Sequence, residues 1–142
     1  QTMLIKKLMP SKGVLTKRQP TIGELEDMEF GYKMAKEIGQ LDIGQTVVVK
    51  HKAVMAVEAI EGTDECIKRG GALGRGDAVV VKVAKPNQDL RFDVPTVGVK
   101  TINSMIAANS KALAIEADNT LLVEKSKVLE LAKKNNITIV AL

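Results

Sequence analysis

Short apolar runs alternate along this 142-residue chain with polar segments whose apolar positions recur at helical spacing. The run 78–84 is almost wholly apolar and is bounded by a glycine and a proline, which predicts a buried strand. Two Val-rich runs, 45–50 and 53–59, flank His51-Lys52 and predict a hairpin or two neighbouring strands. Further strands are predicted at 112–116, 120–124 and 137–141.

The segments between these runs predict helices. Thr21 and Glu24 have the spacing of a capping box, and the helix that follows is expected to end at Gly39. Thr63 or Asp64 is placed to cap a short second helix, which the glycines from 70 onward end as a turn rather than as a phosphate cradle. Two more helices are predicted at 101–108 and from Ser126 to about 135.

Strands that alternate with helices in this way are typical of an α/β protein. We expect one layered α/β domain with a mixed sheet of about five strands and flanking helices. The composition agrees, because 45% of the residues are hydrophobic but only 2% are aromatic, so the core is built from aliphatic side chains. The single Cys66 excludes an internal disulfide and, with one His51, cannot by itself make a structural zinc site.

The charge pattern excludes some classes of partner. A net charge of +4 favours anionic partners only weakly, and the scarcity of aromatic residues that could stack on bases gives a nucleic-acid partner little support. No apolar run approaches the length of a membrane span. We therefore expect a protein of a reducing compartment that binds no nucleic acid.

The most informative segment follows the predicted strand 78–84. Asp89, Arg91 and Asp93 alternate there with apolar residues, so an extended backbone would direct all three charges to one face. In open α/β sheets, ligands bind beyond the carboxyl ends of the strands. The alternative is a surface loop held by an internal Asp–Arg–Asp salt bridge, and the spacing alone leaves both interpretations open.

A second group of acids lies at the end of the predicted strand 53–59. Glu58, Glu61 and Asp64 supply the oxygen ligands that hard divalent cations bind. The alternative is that Glu61 and Asp64 only stabilise the start of the following helix electrostatically. Cys66 has no evident base beside it in the sequence, and we interpret it as a packed thiol rather than a nucleophile.

Several motifs resemble one enzyme family, the UDP-2,3-diacylglucosamine pyrophosphatases of lipid A biosynthesis that are unrelated to calcineurin-like phosphoesterases. The resemblance extends from about Gly13 to Leu142 and is to the carboxyl-terminal half of that family. It implies hydrolysis of the pyrophosphate of UDP-2,3-diacylglucosamine to UMP and 2,3-diacylglucosamine 1-phosphate, with Mg²⁺ or another divalent cation such as Mn²⁺ as cofactor. The motifs that carry it are Lys85-Pro-Asn-Gln-Asp-Leu-Arg-Phe-Asp-Val-Pro-Thr-Val-Gly98, Ala59-Ile-Glu-Gly-Thr-Asp64, Leu41-Asp-Ile-Gly-Gln-Thr-Val-Val-Val49 and Phe30-Gly-Tyr-Lys-Met-Ala35.

The resemblance implies a catalytic acid in the first of these motifs, either Asp89 or Asp93. Hydrolysis of an anionic pyrophosphate needs a cation to neutralise charge and a group that positions or deprotonates water, and Asp beside Arg meets both needs. We expect Asp89 and Asp93 to be catalytic and to bind the metal, with Glu61 and Asp64 as further ligands. The expected phosphate-binding residues are Lys85, Arg91 and Lys82, although Lys82 could instead lie on a solvated face.

The resemblance also implies an organisation and a set of partners. We expect residues 1–20 to be a basic connector from a missing amino-terminal domain, and residues 21–142 to be the catalytic carboxyl-terminal domain. The expected partners are the substrate, that amino-terminal domain, membrane lipid in a peripheral contact, and a second copy in a homodimer. The expected location is the cytoplasm, at the surface of the inner membrane.

A function of a different class remains open from the sequence. The chain could be a non-catalytic module that binds a sugar nucleotide or a lipid phosphate. The pair Asp89 and Asp93 favours the enzyme, because carboxylates next to a phosphate repel it unless a metal ion intervenes.

Overall fold

A six-stranded mixed sheet forms the centre of this computed structural model, which describes residues 7–86 and 94–142. The strand order in the sheet is β1-β8-β6-β4-β2-β3, and a separate parallel pair joins β5 and β7. The strands are β1 (Gly13–Val14), β2 (Thr46–Lys50), β3 (Ala53–Val57), β4 (Val79–Lys82), β5 (Thr96–Val97), β6 (Ala112–Ile115), β7 (Leu121–Leu122) and β8 (Thr138–Ala141).

Four helices cover the two faces of the sheet in the described part of the chain. They are α1 (Ile22–Gln40), α2 (Thr63–Gly74), α3 (Val99–Ala107) and α4 (Lys125–Lys134). None of these helices is long and apolar enough to cross a lipid bilayer.

The valines of the central strands are buried on both faces of the sheet. In β2 and β4, alternate valines pack under α1, whereas Val48 and Val80 face the layer formed by α2, α3 and α4. Burial on both faces explains why these strands are continuous apolar runs rather than alternating patterns.

The strand directions give the sheet two distinct ends. Strands β4, β6 and β8 are parallel and end together, and we call that end the carboxyl edge. β2 is antiparallel to β4, so Thr46 at its start pairs with Lys82 at this edge. α1 ends here and α2 begins here, because Lys36 contacts Ala84 and Thr63 contacts Thr46. The other end, which carries the β2–β3 turn, is the opposite edge.

The structure confirms the expected single-domain α/β fold with a mixed sheet, with six strands rather than about five. The additional strand is β1, which pairs antiparallel with β8 through Gly13 and Val14. It lies inside the segment that was expected to be a connector, and Arg18 from the same segment bonds to Glu24 and to Thr138. The capping box of Thr21 and Glu24 is present as predicted.

The predicted end of the second helix was wrong. Gly70 and Gly71 lie inside α2, which continues to Gly74, where Arg75 adopts a left-handed conformation. A Cβ on Gly70 would lie 2.4 Å from Cβ of Val48, and one on Gly71 would lie 2.5 Å from Cβ of Ala108. The two glycines therefore permit close packing of α2 on β2 and α3, which requires no turn.

Two predicted helix caps were also wrong. Gly62, rather than Thr63 or Asp64, is the N-cap of α2. Glu124, rather than Ser126, is the N-cap of α4 and has a positive φ of 52°. The polar residues chosen from the sequence lie in the first turn of each helix, one or two positions beyond the cap.

Candidate functional site

The carboxyl end of β4 is where the charged motif of the sequence begins. The described chain runs from Lys82 to Pro86, and it is described again from Val94 into β5 and α3. Asp89, Arg91 and Asp93 lie outside the described residues, so their predicted roles stay predictions. The residues that flank the motif, and those that surround its two ends, define the candidate site.

Lys82 is the central described residue of this site. Its side chain is buried beneath the edge, with only 7% of the residue exposed, so the alternative of a solvated face was wrong. Its Nζ donates a hydrogen bond of 2.9 Å to the carbonyl of Thr96, at the point where the chain returns from the motif. Burial lowers the pKa of Lys82, and the charges of Glu58 and Asp64 oppose that shift.

Hydroxyl and carboxylate groups surround Lys82 on the face of the sheet covered by α2 and α3. The hydroxyls of Thr46 and Thr63 lie 3.2 Å apart, and the Thr63 hydroxyl donates to Glu58 at 3.4 Å. Glu58 also accepts the Gln45 amide at 3.3 Å. These bonds fix Glu58 at the start of β2, from where its charge acts on the buried ammonium of Lys82.

Asp64 lies between α2 and α3. Its Oδ1 accepts a hydrogen bond of 2.9 Å from the hydroxyl of Ser104, and its Oδ2 lies 3.6 Å from Nζ of Lys100. A cleft of about 450 Å³ runs along this contact, and Lys68 also lines it. The cleft is open to solvent and carries charges of both signs.

Glu61, the other predicted metal ligand, is paired with a cation. It accepts the Ala59 amide at 2.9 Å and Nε of Arg69 at 3.0 Å. The Ala59 amide and the Arg69 guanidinium lower the pKa of Glu61. Across the described ranges 7–86 and 94–142, no three His, Cys, Asp or Glu side chains are arranged to hold a metal ion. The predicted metal site includes Asp89 and Asp93, which lie outside these ranges, so the assignment of Glu61 and Asp64 as metal ligands stays a prediction.

Two ionic contacts hold the chain as it leaves β4. Glu116, at the end of β6, accepts the Ala84 amide at 3.0 Å and Nζ of Lys36 at 2.8 Å through the same oxygen. Lys36 also donates to the Ala84 carbonyl at 3.2 Å. Lys85, a predicted phosphate ligand, lies 3.1 Å from Asp42. The sequence analysis missed Lys36 and Glu116, although Glu116 could have been found as a charged residue at the end of a strand parallel to β4.

The first turns of α2, α3 and α4 all lie near this edge. Gly62 and Gly98, the N-caps of α2 and α3, have no side chain that could accept the amides of the first turn, and Glu124 makes no such bond in α4. Uncapped amides and aligned peptide dipoles give the start of a helix a positive potential. The carboxyl edge is therefore suited electrostatically to an anion such as a phosphate.

Two residues that the sequence analysis set aside lie outside this chemistry. Cys66 is fully buried in α2, and burial raises its pKa to about 12, which confirms a packed thiol. His51 lies in the β2–β3 turn at the opposite edge, where its backbone amide donates to Asp27 at 3.1 Å.

Comparison with known proteins places this sequence in a family. Residues 11–140 match the family model described as the LpxI C-terminal domain. A protein of Caulobacter vibrioides named UDP-2,3-diacylglucosamine pyrophosphatase LpxI is 38% identical over 129 residues, an alignment that covers 85% of this chain. The same alignment covers 46% of that relative, so the chain spans about half the length of the curated protein it matches.

Proposed function

Because the chain belongs to the LpxI C-terminal domain family, we propose that it is one half of an enzyme that hydrolyses UDP-2,3-diacylglucosamine. The water oxygen forms a bond to one phosphorus and the bridging P–O bond breaks. The products are UMP and 2,3-diacylglucosamine 1-phosphate, which share the protons of the water. Mg²⁺ or Mn²⁺ is the proposed cofactor.

One observation carries this proposal: a buried lysine ammonium, that of Lys82, lies at the edge of the sheet from which the acidic motif leaves. A fixed positive charge in a site that excludes water stabilises negative charge that develops on a phosphate. The Thr96 carbonyl uses one of the three N–H bonds of this ammonium in the described part of the chain.

The residues of the motif complete the proposed chemistry. Asp89 and Asp93 would position or deprotonate the attacking water, and Arg91 would hold phosphate oxygens through its planar guanidinium. Lys85 and Lys82 would add positive charge. The divalent cation would neutralise phosphate charge when bound, with Asp89 and Asp93 as ligands and the described acids Asp64 and Glu61 as candidates to complete the set.

The half-enzyme role rests on length and on geometry. The chain spans 46% of its curated relative, and the cleft beside Asp64 is open to solvent. We propose that an amino-terminal domain of the same protein closes this cleft and that the acylated substrate is taken up at the membrane surface. Catalytic groups must be held within a fraction of an ångström, so the isolated chain is expected to fold but to turn over slowly or not at all.

Product analysis tests the proposal directly. The full-length protein and the isolated chain would each be incubated with UDP-2,3-diacylglucosamine and Mg²⁺, with a chelator as control, and UMP would be quantified. We expect UMP from the full-length protein only when the cation is present. Substrate binding without UMP would favour a binding module, and equal turnover by the isolated chain would overturn the half-enzyme role.

A further inference from the structure

The chain is held through both backbone groups of one residue, Ala84, where it leaves β4. Sheet pairing of β4 ends at Lys82, and the Val83 amide makes one more backbone bond, to Gln45. At Ala84 the bonds come from side chains, because Glu116 accepts the amide and Lys36 donates to the carbonyl. Two side chains from different elements therefore replace the neighbouring strand at this residue.

The end of α1 contacts the next two residues as well. A Cβ on Gly39 would lie 3.7 Å from Cδ of Pro86 and 3.8 Å from Cα of Lys85, so α1 lies directly against this part of the chain. Asp42, just beyond α1, pairs with Lys85. Residues 84–86 are thus fixed by α1 and β6 together.

The pair of Lys36 and Glu116 is more than an exposed surface contact. The Glu116 side chain is 12% exposed and the Lys36 side chain 34%. Asn119 donates to the second oxygen of Glu116 at 2.9 Å, so both carboxylate oxygens are fixed. Partial burial and several bonds to one carboxylate distinguish this pair from solvent-exposed pairs, which contribute little.

We propose that Lys36 and Glu116 are positioning residues, which fix the backbone at Ala84, two residues beyond the buried Lys82 and at the point where the chain continues toward the acidic motif. The proposal rests on the proposed function, because it assigns the pair a part in that reaction. Ala84 lies five positions before Asp89 in the sequence. A displacement of about 1 Å at a catalytic group can cost roughly a hundredfold in rate.

The opposite end of α1 provides a matched control. Arg18 and Glu24 form a bidentate pair with bonds of 2.9 Å, and their side chains are 23% and 12% exposed. This pair joins α1 to the start of β8 at the opposite edge, through the Arg18–Thr138 bond. Loss of either pair should weaken the anchoring of α1, but only loss of the Lys36–Glu116 pair should release the backbone at Ala84.

The experiment compares Glu116→Ala, Glu116→Gln and Glu24→Ala in the full-length protein. We expect Glu116→Ala to lower kcat roughly ten- to a hundredfold with KM changed by no more than about twofold. Glu116→Gln keeps an oxygen for the Ala84 amide and should recover part of kcat. Glu24→Ala should leave kcat unchanged. Hydrogen exchange at the Ala84 amide should accelerate in Glu116→Ala but not in Glu24→Ala.

The outcomes separate this proposal from the proposed function. Absence of turnover in the unmodified protein would overturn the proposed function and the catalytic part of this inference, while the exchange data would still decide whether Glu116 fixes Ala84. Normal kcat in Glu116→Ala of an active protein would overturn the inference alone. An unchanged rate of hydrogen exchange at the Ala84 amide in Glu116→Ala would also overturn the inference. Equal losses of kcat in Glu116→Ala and Glu24→Ala would overturn it as well.

Discussion

The two edges of the sheet carry the same kinds of polar side chain and use them differently. At the opposite edge, three of the charged side chains complete the hydrogen bonding of a nearby backbone segment. Glu24 caps α1, and Asp27 accepts the amides of His51 and Lys52 in the β2–β3 turn. Lys50 donates to the carbonyls of Gly74 and Gly76 at the end of α2, at 2.7 and 2.9 Å.

At the carboxyl edge, the helix starts and the buried ammonium are less completely satisfied. The N-caps of α2, α3 and α4 provide no side-chain acceptor, and Lys82 is buried in the described structure with one carbonyl partner. Unused donors of this kind cost folding free energy unless a ligand or another segment accepts them. The comparison teaches that the candidate binding edge differs from the structural edge in how completely its polar groups are paired, and not in how many polar groups it has.

The size of the clefts does not distinguish the carboxyl edge from the opposite edge. The opposite edge has clefts of about 330 and 650 Å³, whereas the cleft beside Asp64 measures about 450 Å³. The cleft of 650 Å³, the largest of the three, is lined by charged groups that already have partners, including Glu24, Asp27 and the pair of Asp77 and Lys111.

The largest expected effect concerns the acids of the motif. In the full-length protein, Asp89→Ala or Asp93→Ala should lower turnover of UDP-2,3-diacylglucosamine by roughly a hundredfold or more, because a group that acts on water or metal is lost. Asp77→Ala is the matched change at the opposite edge and should leave turnover unchanged. Steady-state rates of UMP release, with circular dichroism to confirm folding, measure the difference.

Near-normal turnover in both motif variants would mean that the motif is a salt-bridged structural loop. Substrate binding should survive in either Asp variant, because removal of a negative charge near a pyrophosphate favours the ground-state complex. Arg91→Ala, in contrast, should weaken binding as well as turnover.

The second-largest expected effect distinguishes Lys82, at the carboxyl edge, from Lys50, at the opposite edge. Lys82→Met should lower turnover about tenfold or more but should not destabilise the fold, because it removes a buried charge and keeps the side-chain volume. Lys50→Met should leave turnover unchanged and lower the free energy of unfolding by about 1–2 kcal/mol, because two carbonyls lose their donor. Urea denaturation and steady-state kinetics on both variants test whether Lys82→Met changes only turnover and Lys50→Met changes only stability.

The pH dependence of stability provides a second test of Lys82. Burial lowers the pKa of this lysine in the folded state, so the unfolded chain binds more protons than the folded one between the folded pKa and 10.5. The contribution of Lys82 to the free energy of unfolding should therefore rise with pH until the pH reaches about 10.5, the pKa of lysine in the unfolded chain. The difference between the native protein and Lys82→Met isolates this slope, and a flat difference would contradict burial of the charged form.

A smaller effect compares two glycines. A Cβ on Gly44, at the carboxyl edge, would lie 2.1 Å from the Glu58 carbonyl oxygen, so Gly44→Ala must displace β3 from β2. We expect a loss of about 1–3 kcal/mol in the free energy of unfolding and reduced turnover, since Glu58 moves. Gly23→Ala, near the start of α1, meets only Oγ1 of Thr21 at 4.0 Å. It should stabilise the protein by about 0.5–1 kcal/mol with turnover unchanged.

The smallest effect is expected for Glu24→Gln. Burial alone would raise the pKa of Glu24, but the bonds from Arg18 and from the Thr21 amide outweigh it and lower the pKa. The carboxylate therefore stabilises the fold above about pH 4.5, and this contribution is lost as the pH falls through the folded pKa. Glu24→Gln should cost up to about 1 kcal/mol at neutral pH and nothing in acid. A loss of equal size at pH 3 would contradict this ion-pair interpretation.

The sequence predicted the presence of the helices and strands more reliably than the residues at which they begin and end. Hydrophobic periodicity placed the β2–β3 hairpin, β4, β6, β8 and the four helices of residues 7–86 and 94–142, because burial on one or both faces dictates the residue types. It missed β1, since two residues carry no periodic pattern. It misplaced the glycines at 70–71, because their role is a contact between elements, which the local sequence does not contain.

The candidate site shows the same limit, because contacts between distant parts of the chain could not be predicted from the sequence. The sequence indicated Lys82 and Asp64 as site residues, and the structure brings both to the carboxyl edge. It could not show that Glu61 pairs with Arg69, because the two residues are eight positions apart, across a turn and the first part of a helix. The anchoring of Ala84 by Lys36 and Glu116 depends on residues 48 and 32 positions away in the chain. Such contacts follow from topology and not from local pattern.

The pairing of β1 with β8 has a consequence for how the molecule forms. Val14 pairs with Val140, and β8 lies between β1 and β6 in the sheet. The entropy of closing so long a loop grows only slowly with its length, but contacts between distant residues slow folding. During synthesis, β1 and β6 both leave the ribosome before the strand that joins them. The sheet can close only when residues 138–141 have emerged, so the last strand in the sequence sets the moment at which the fold is completed.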